Sequence, residues 1–87
     1  MEYFVYIIYS ERIQVYYKGY TTEPLLRLAE HNNNKSRYTS GKGPWKLIYL
    51  EKMQDKTAAL VREKQLKRAN YKYIKWLISQ EINLVKL

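Results

Sequence analysis

The chain has 87 residues with 16 Lys and Arg against 8 Asp and Glu, a formal net charge of +8, and no cysteine. This length predicts one domain over residues 1–87, and the lack of cysteine excludes disulfides and thiolate metal sites. No apolar run reaches the ~20 residues of a membrane-spanning helix, and the first residues do not resemble a secretory signal, so we expect a cytoplasmic protein.

The beginning of the chain predicts a β-hairpin. Residues 3–9, Tyr-Phe-Val-Tyr-Ile-Ile-Tyr, are aromatic or β-branched throughout, which is typical of a strand. Because no polar residues alternate with them, we expect both faces of this strand to be covered, as at the centre of a sheet. A polar connection over 10–14 has the length of a hairpin loop and leads to a second strand over 15–20.

A short helix is expected next, over about 23–32. Thr21 and Thr22 are candidates for its N-cap, and Pro24 lies in the first turn, where a missing N–H does no harm. The apolar side chains that recur at helical spacing are those of Leu25, Leu28 and Ala29. We expect this apolar stripe to face the sheet.

A polar loop and a third strand follow. Asn, Ser and Gly are frequent over 32–44, as in a surface loop, and the apolar residues over 45–51 predict a strand. Asp55 or Thr57 is expected to cap a second helix that runs to about Asn70.

The end of the chain predicts a third helix over about 71–79 and a tail over 81–87 that fits either a short strand or an extension of this helix. The element order is then β-β-α-β-α-α. We therefore expect an α+β fold in which helices flank a small, three-stranded antiparallel sheet.

The positive charge favours a polyanionic partner. A surplus of +8 on so small a surface attracts nucleic acid first and an anionic membrane second. We predict nucleic acid and no membrane partner. A soluble basic protein without any polyanionic partner is the simpler alternative, which charge alone leaves open.

Two residues of the first helix form a candidate phosphate-binding pair. Arg27 and His31 are four residues apart, so they are neighbours on the helix surface, opposite the apolar stripe. Facing outward beside a sheet edge, an arginine and a histidine could bind a phosphate. A solvated helix face explains the same pair without any function.

Glu63 is unusual because of its surroundings. Between residues 56 and 80 it is the only acid among seven basic residues. It lies four residues after Ala59 and three before Leu66, so it shares their side of the helix. A carboxylate that leans toward the core needs a cation. A divalent metal such as Mg²⁺ is one candidate, and a structural salt bridge to Lys or Arg is the other.

Tyr6 and Tyr17 lie on adjacent strands of the predicted hairpin and could meet on one face of it. A phenol with its ordinary pKa of ~10 is almost entirely protonated at pH 7. A neighbouring cation, metal or base would allow it to take part in proton transfer. Two ordinary core aromatics are the alternative.

Together these residues form a recognisable pattern. The order is Phe4-Val5-Tyr6, Tyr17-Lys18-Gly19, Arg27, His31 and Glu63. It resembles the GIY-YIG nuclease family, above all its small stand-alone bacterial members, which are similar to the N-terminal nuclease domain of the UvrC excision-repair subunit. The most family-like stretches are 5–8, 19–22, 27–31, 37–41 and 62–64. The name-giving triplets themselves differ, since only the two tyrosines and the second glycine are kept.

The resemblance implies an endonuclease that hydrolyses DNA phosphodiesters with one divalent metal, Mg²⁺ or Mn²⁺, and acts in repair or recombination. It implies Glu63 as the metal ligand, Arg27 as the phosphate-binding cation and Tyr6 as the proton acceptor or, less often, the nucleophile. Tyr17 would orient the water, and His31 would assist Tyr6 as a base or bind the phosphate.

Other residues would complete this implied site. Gly19 would allow close approach of the backbone beside Tyr17, and Asn70 is a candidate for the family's late asparagine. Residues expected to contact nucleic acid, DNA rather than RNA, are Lys18, Lys35, Arg37, Tyr38, Lys42 and Lys46. A nucleic-acid-binding module that has lost catalysis, and a structural protein that docks on a ribosome or membrane, stay open as alternatives.

Overall fold

The computed structural model describes residues 1–86. The strands are β1 (Tyr3–Ser10), β2 (Val15–Thr21) and β3 (Lys46–Met53), and the helices are α1 (Pro24–Asn32), α2 (Lys56–Arg68) and α3 (Tyr71–Ile78). The predicted α+β class and element order are therefore confirmed. No helix within the described residues is long and apolar enough to cross a membrane.

β1 is the middle strand of the sheet. It pairs antiparallel with β2 on one side and with β3 on the other, which gives the order β2-β1-β3. Residues 5–8 of β1 are at most 3% exposed. Both faces of this strand are thus covered, as its uninterrupted apolar sequence predicts.

Side-chain alternation along β1 divides the core into two clusters. The first lies under α2 and α3 and contains Val5, Ile7, Ile48, Tyr49, Ala59, Leu66, Ile74 and Leu77. On the opposite face, Tyr6 and Ile8 pack with Trp45 and with Leu28 of α1. This second, smaller cluster forms the floor of the candidate active site.

A β-bulge in β3 interrupts the simple alternation there. Ile7 pairs with Tyr49 and Ile8 pairs with Leu47, so Ile48 is an additional residue on β3. Ile48 and Tyr49 are consequently both buried in the first cluster, although they are consecutive in the sequence.

The N-cap predicted for α1 is wrong. Glu23 occupies the cap position without a side-chain cap bond, and Pro24 begins the helix as expected. The Thr21 hydroxyl instead accepts a hydrogen bond from the Glu23 N–H at 3.0 Å, before the helix begins. Thr22 and Thr21 lie one and two residues before the cap position, so neither side chain caps the helix.

The other two helices begin at side-chain caps. Asp55, one of the two candidates, accepts a hydrogen bond from the Ala58 N–H at 2.8 Å and caps α2. The helix ends at Arg68, two residues earlier than predicted. Asn70 then caps α3 by accepting from the Tyr73 N–H at 2.8 Å.

The buried face of α1 is not the predicted one. Leu25 is 76% exposed and Ala29 is exposed too, whereas His31 is fully buried. Of the predicted stripe, only Leu28 packs against a core cluster. The prediction ranked leucine above histidine for burial, but an imidazole can be buried when hydrogen-bond partners await both nitrogens, and that is the situation of His31.

The tail forms neither of the predicted structures in its described residues, and Leu87 lies outside them. Asn83 is 1% exposed and binds the open edge of β3, accepting from the Leu50 N–H at 3.1 Å and donating to the Ile48 carbonyl at 3.0 Å. The Leu84 N–H adds a backbone bond to the Leu50 carbonyl at 2.9 Å. The tail therefore covers an edge strand that would otherwise expose unpaired backbone groups.

Asn83→Ala should lower the free energy of unfolding by about 2–4 kcal/mol, because it leaves buried backbone groups of β3 without partners. Urea denaturation followed by circular dichroism measures this change. Asn70→Ala is the matched control, since it removes an exposed helix cap worth about 1 kcal/mol. Equal losses in the two variants would contradict the role assigned to Asn83.

Candidate active site

A buried hydrogen-bond chain joins β1, α1 and the loop after α1. The Tyr6 Oη lies 2.8 Å from the His31 Nε2, and the His31 Nδ1 lies 2.7 Å from the Thr39 Oγ1. The three side chains are at most 3% exposed. The Thr39 hydroxyl donates to the Ser36 carbonyl at 3.5 Å, so its oxygen accepts from the His31 Nδ1–H. The Nε2 is then free to accept from the Tyr6 hydroxyl.

Gly19 makes room for this arrangement. It pairs directly with Tyr6 across the β1–β2 ladder, and a Cβ at this position would lie 2.5 Å from the Tyr6 Oη. The resemblance placed the close approach beside Tyr17, but the structure shows the Tyr6 ring lying over Gly19. A side chain at position 19 would displace the hydroxyl that meets His31.

Tyr17 lies beside the same chain. Its ring centroid is 6.5 Å from that of Tyr6 and 5.2 Å from that of His31, in an edge-on arrangement with the imidazole. Trp45 contacts the ring of Tyr17 with a centroid separation of 6.5 Å. The two hairpin tyrosines thus meet on one face of the sheet, as their positions in the sequence allowed.

Arg27 presents its guanidinium next to Tyr6. Glu30 accepts from it at 3.1 Å, and the Ser36 hydroxyl accepts more weakly at 3.5 Å. The side chain keeps 32% of its surface exposed, so a ligand can reach it. Arg27 and His31 therefore share a site, but His31 faces inward, which corrects the expectation that both would face outward.

Glu63 forms one of the two interactions that the sequence left open, a salt bridge. Its side chain is only 16% exposed, and it forms an ion pair with Lys67 at 3.6 Å along α2. Such a pair is worth about 0.3–0.5 kcal/mol because the lysine is largely solvated. Glu63 is also near enough to Tyr6 to raise the pKa of that phenol. The expected salt bridge therefore exists, and it contributes little to the free energy of unfolding.

The carboxylate of Glu63 fits a single hard divalent cation. Among residues 1–86 no group of three or more His, Cys, Asp or Glu could hold a metal, so Glu63 would be its one carboxylate ligand. Mg²⁺ commonly binds proteins through one or two carboxylates and completes its shell with water and substrate phosphates. A largely buried carboxylate near the phenol of Tyr6 meets that requirement.

Burial determines the protonation states of Tyr6 and His31. It raises the pKa of Tyr6 to about 12, although the guanidinium of Arg27 acts in the opposite direction. Burial, together with the positive charge of Arg27, lowers the pKa of His31 to about 4. At neutral pH Tyr6 is therefore a phenol and His31 a neutral imidazole. The pKa of Tyr6 is therefore raised, whereas the expected activation requires a lowered one.

Only some of the residues predicted to contact nucleic acid lie together in the structure. Lys35, Arg37, Tyr38 and Lys42 are exposed in the loop between α1 and β3. Lys18 is half-buried and pairs with Ile7, so it lies on the sheet face opposite Tyr17, and burial lowers its pKa. Lys46 is exposed at the start of β3, in a separate hollow with Tyr9 and Arg12.

Two residues differ from the expectation. Asn70, a candidate site residue, does not contact the site, and Thr39, which was not a candidate, belongs to it. Asn70 is exposed and occupied as a helix cap, so the structure gives it no contact with the site. Thr39 received no role from the sequence, yet it is the partner of His31. The available signal was its place in the stretch 37–41, next to the basic loop residues.

Comparison with known proteins identifies the family of this chain. The profile of the GIY-YIG catalytic domain matches residues 2–77. The chain belongs to the GIY-YIG family. The match includes both tyrosines, Arg27, His31 and Glu63, and it places the domain in a family of nucleases.

Small relatives and one solved structure share this GIY-YIG domain. A UPF0213 protein of Natronomonas pharaonis is 36% identical over 67 residues, covering 76% of this chain and 78% of the relative. A UPF0213 protein of Listeria monocytogenes is 36% identical over 72 residues, covering 82% and 79%. The solution NMR structure of a UPF0213 protein from Bacillus halodurans matches with a TM-score of 0.59 and 29% identity, covering 94% and 87% of the two chains.

The buried imidazole should make the stability of this GIY-YIG domain depend on pH. The folded-state pKa of about 4 lies below the ordinary value of 6.5, so the unfolded chain binds the proton more tightly. The free energy of unfolding should be flat above pH 6.5 and fall between pH 6.5 and 4, by up to about 3 kcal/mol. Urea titrations at several pH values measure it.

His31→Gln is the control for this dependence, because glutamine does not titrate and should remove the slope between pH 6.5 and 5. His31 is the chain's only histidine, so NMR can also follow its ring directly. An imidazole that titrates near pH 6.5 in the folded protein would contradict the assignment.

Thr39→Val should disturb the tautomer of His31. In the wild type at pH 7.5 we expect the ¹⁵N shifts of a ring protonated on Nδ1, because Thr39 accepts that hydrogen. Valine has a similar shape but no acceptor, so both tautomers should be populated. Thr39→Ser should restore the wild-type shifts, and Ser36→Ala should leave them unchanged because it keeps the Ser36 carbonyl. Unaltered shifts in Thr39→Val would rule out this role.

Proposed function

We propose that this GIY-YIG domain is an endonuclease that hydrolyses DNA phosphodiesters with one divalent metal, Mg²⁺ or Mn²⁺, held by Glu63. The observation that supports this most is the buried chain from Tyr6 through His31 to Thr39. A proton acceptor is thereby prepared next to a cation, Arg27, and a carboxylate, Glu63, both near enough to affect the pKa of Tyr6.

The hydrogen-bond chain of Tyr6, His31 and Thr39 would move one proton. As water attacks the phosphorus, the Tyr6 oxygen takes a proton from the water while its own hydroxyl proton passes to the His31 Nε2. The Thr39 oxygen, which already accepts from Nδ1–H, stabilises the imidazolium that forms. A bound phosphate places negative charge nearby, which favours the protonated ring. With a pKa of about 12, Tyr6 is suited to this relay rather than to direct attack as a phenolate.

The remaining residues would position the phosphate and the water. Arg27 would bind the non-bridging oxygens, where charge accumulates in the transition state. Tyr17, beside both Tyr6 and His31, would orient the attacking water. A metal bound at Glu63 would supply neutralisation of the phosphate and of the leaving 3′ oxygen. The protein's own contribution is mainly placement and electrostatics.

Substrate binding would be electrostatic and independent of base sequence. The exposed cations of the loop, Lys35, Arg37 and Lys42, would contact phosphates. Each such contact should add about 0.9 to the slope of log K against log salt. We further propose that the substrate is DNA rather than RNA, that cleavage is structure-selective or of low specificity, and that the protein acts in cytoplasmic repair or recombination.

Glu63→Gln should reduce Mg²⁺-dependent cleavage of single-stranded, nicked and branched DNA by at least about 100-fold, because an amide replaces the metal's carboxylate ligand. Tyr6→Phe should lose about 10²- to 10⁴-fold by removing the proton acceptor. Gel analysis of labelled DNA and of matching RNA strands measures both losses and the choice of nucleic acid.

Glu11→Gln, which removes an exposed carboxylate from the hairpin turn, is the control and should cleave like the wild type. Activity that survives in Glu63→Gln and Tyr6→Phe would mean that the proposed site is wrong. A wild-type protein that shifts these DNAs on a gel and cuts none of them would be a binding module without catalysis.

A further inference from the structure

A hollow of about 420 Å³ opens next to the candidate active site. Its walls come from the hairpin, the loop before β3 and helix α2, and the lining residues are Val15, Tyr17, Tyr38, Lys42, Trp45 and Lys67. We call it the Tyr17 hollow, because Tyr17 belongs both to it and to the cluster around His31. Of its lining residues, Val15, Trp45 and Lys67 have no role in the reaction proposed above.

The walls combine aromatic rings with positive charge. Trp45 is 5% exposed and donates its indole N–H to the Thr39 carbonyl at 3.2 Å, so it forms a fixed floor. Tyr38 is 70% exposed and offers a ring face at the rim. Lys42 and Lys67 approach from different elements, and all the lining residues are neutral or basic.

These features match one chemical class of ligand. Aromatic rings that stack on bases, next to cations that bind the backbone, are typical of single-strand recognition. A volume of about 420 Å³ lies in the range of small-molecule pockets, which suits one nucleotide and is far too small for a duplex. Bases within a duplex are already stacked and paired, so only an unpaired nucleotide could enter.

The hollow also lies next to groups of the proposed catalytic site. Lys67 lies 3.6 Å from Glu63, and Tyr17 contacts the His31 ring edge-on. A nucleotide in the hollow would therefore lie next to Glu63 and His31 of the proposed site. Its presence would identify where the strand is to be cut.

We propose that the Tyr17 hollow binds one unpaired nucleotide of the substrate, so that the enzyme selects DNA with an unpaired nucleotide at the cleavage position, as in a single strand or at the base of a flap. The placement relative to the cut rests on the proposed nuclease function. Occupation of the hollow itself does not, because it requires neither metal nor catalysis.

The test uses 2-aminopurine, whose fluorescence falls when it stacks. Metal-free Glu63→Gln protein is mixed with a flapped DNA carrying 2-aminopurine as its first unpaired nucleotide, and with the same strand fully paired. We expect quenching in the flap and little change in the duplex. Tyr38→Ala in the same background should abolish most of the quenching and weaken flap binding by about 5- to 150-fold.

Control variants separate stacking from charge. Tyr38→Phe keeps the ring and should behave like the parent. Tyr71→Ala removes another exposed tyrosine, 57% exposed against 70% for Tyr38, from α3 outside the hollow, and should also leave the quenching unchanged. Lys67→Gln should reduce the salt slope of flap binding by about 1.

The outcomes are distinct from those of the cleavage experiment. Equal quenching in flap and duplex, or quenching that survives in Tyr38→Ala, would overturn the assignment of the hollow. Selective quenching that depends on Tyr38, in a protein whose wild type cuts no DNA, would support the hollow as a nucleotide site while refuting the proposed nuclease activity.

Discussion

Burying an imidazole costs several kcal/mol unless both of its nitrogens find partners. In this domain Tyr6 and Thr39 supply those partners to a fully buried His31. Because they come from the central strand and from the loop, while His31 comes from α1, two short hydrogen bonds join three separate segments. Moving any one of the segments would leave a buried polar group unpaired, so the stability of the fold and the geometry of the site have the same origin.

The loop between α1 and β3 shows how far this constraint extends. It has no regular secondary structure, yet the Asn32 amide binds both the N–H and the carbonyl of Trp45 at 2.6 and 3.0 Å. Arg12 binds loop carbonyls from the hairpin side, and Trp45 binds the Thr39 carbonyl. The loop is thereby fixed on several sides, which is what allows Tyr38 to be part of a defined hollow.

Local patterns were sufficient for most of the architecture. The apolar run of β1 determines its central position, and the phase of Glu63 relative to Ala59 and Leu66 correctly predicted a partly buried carboxylate. These features depend on neighbours within a few residues, so the sequence displays them directly.

The predictions that were wrong or left open have one physical cause. The residues that decide these structures contact partners that are distant in the sequence. The face of α1 was misjudged because the partners of His31 lie on β1 and in the loop. The tail was ambiguous because the buried Asn83 finds its partners on β3. Tyr6 and Tyr17 could be placed on one face from the hairpin alone, but the raised pKa of Tyr6 results from burial by other segments. Hydrophobic periodicity contains no information about such polar pairing.

Electrostatics gives a reason why a single carboxylate, that of Glu63, would hold the metal in the proposed site. A polyanionic substrate is repelled by every carboxylate near the scissile phosphate. In the proposed site of this chain, whose net charge is +8, Glu63 would lie there with Lys67 beside it. One carboxylate is sufficient for a hard cation that shares phosphate oxygens with the substrate. Burial likewise keeps Tyr6 a neutral phenol that adds no negative charge, and the Glu30 carboxylate is paired with Arg27 at 3.1 Å. In the proposed reaction Arg27, which is paired with Glu30, would bind the phosphate, and the proton that leaves the water would pass inward to His31, away from the solvent.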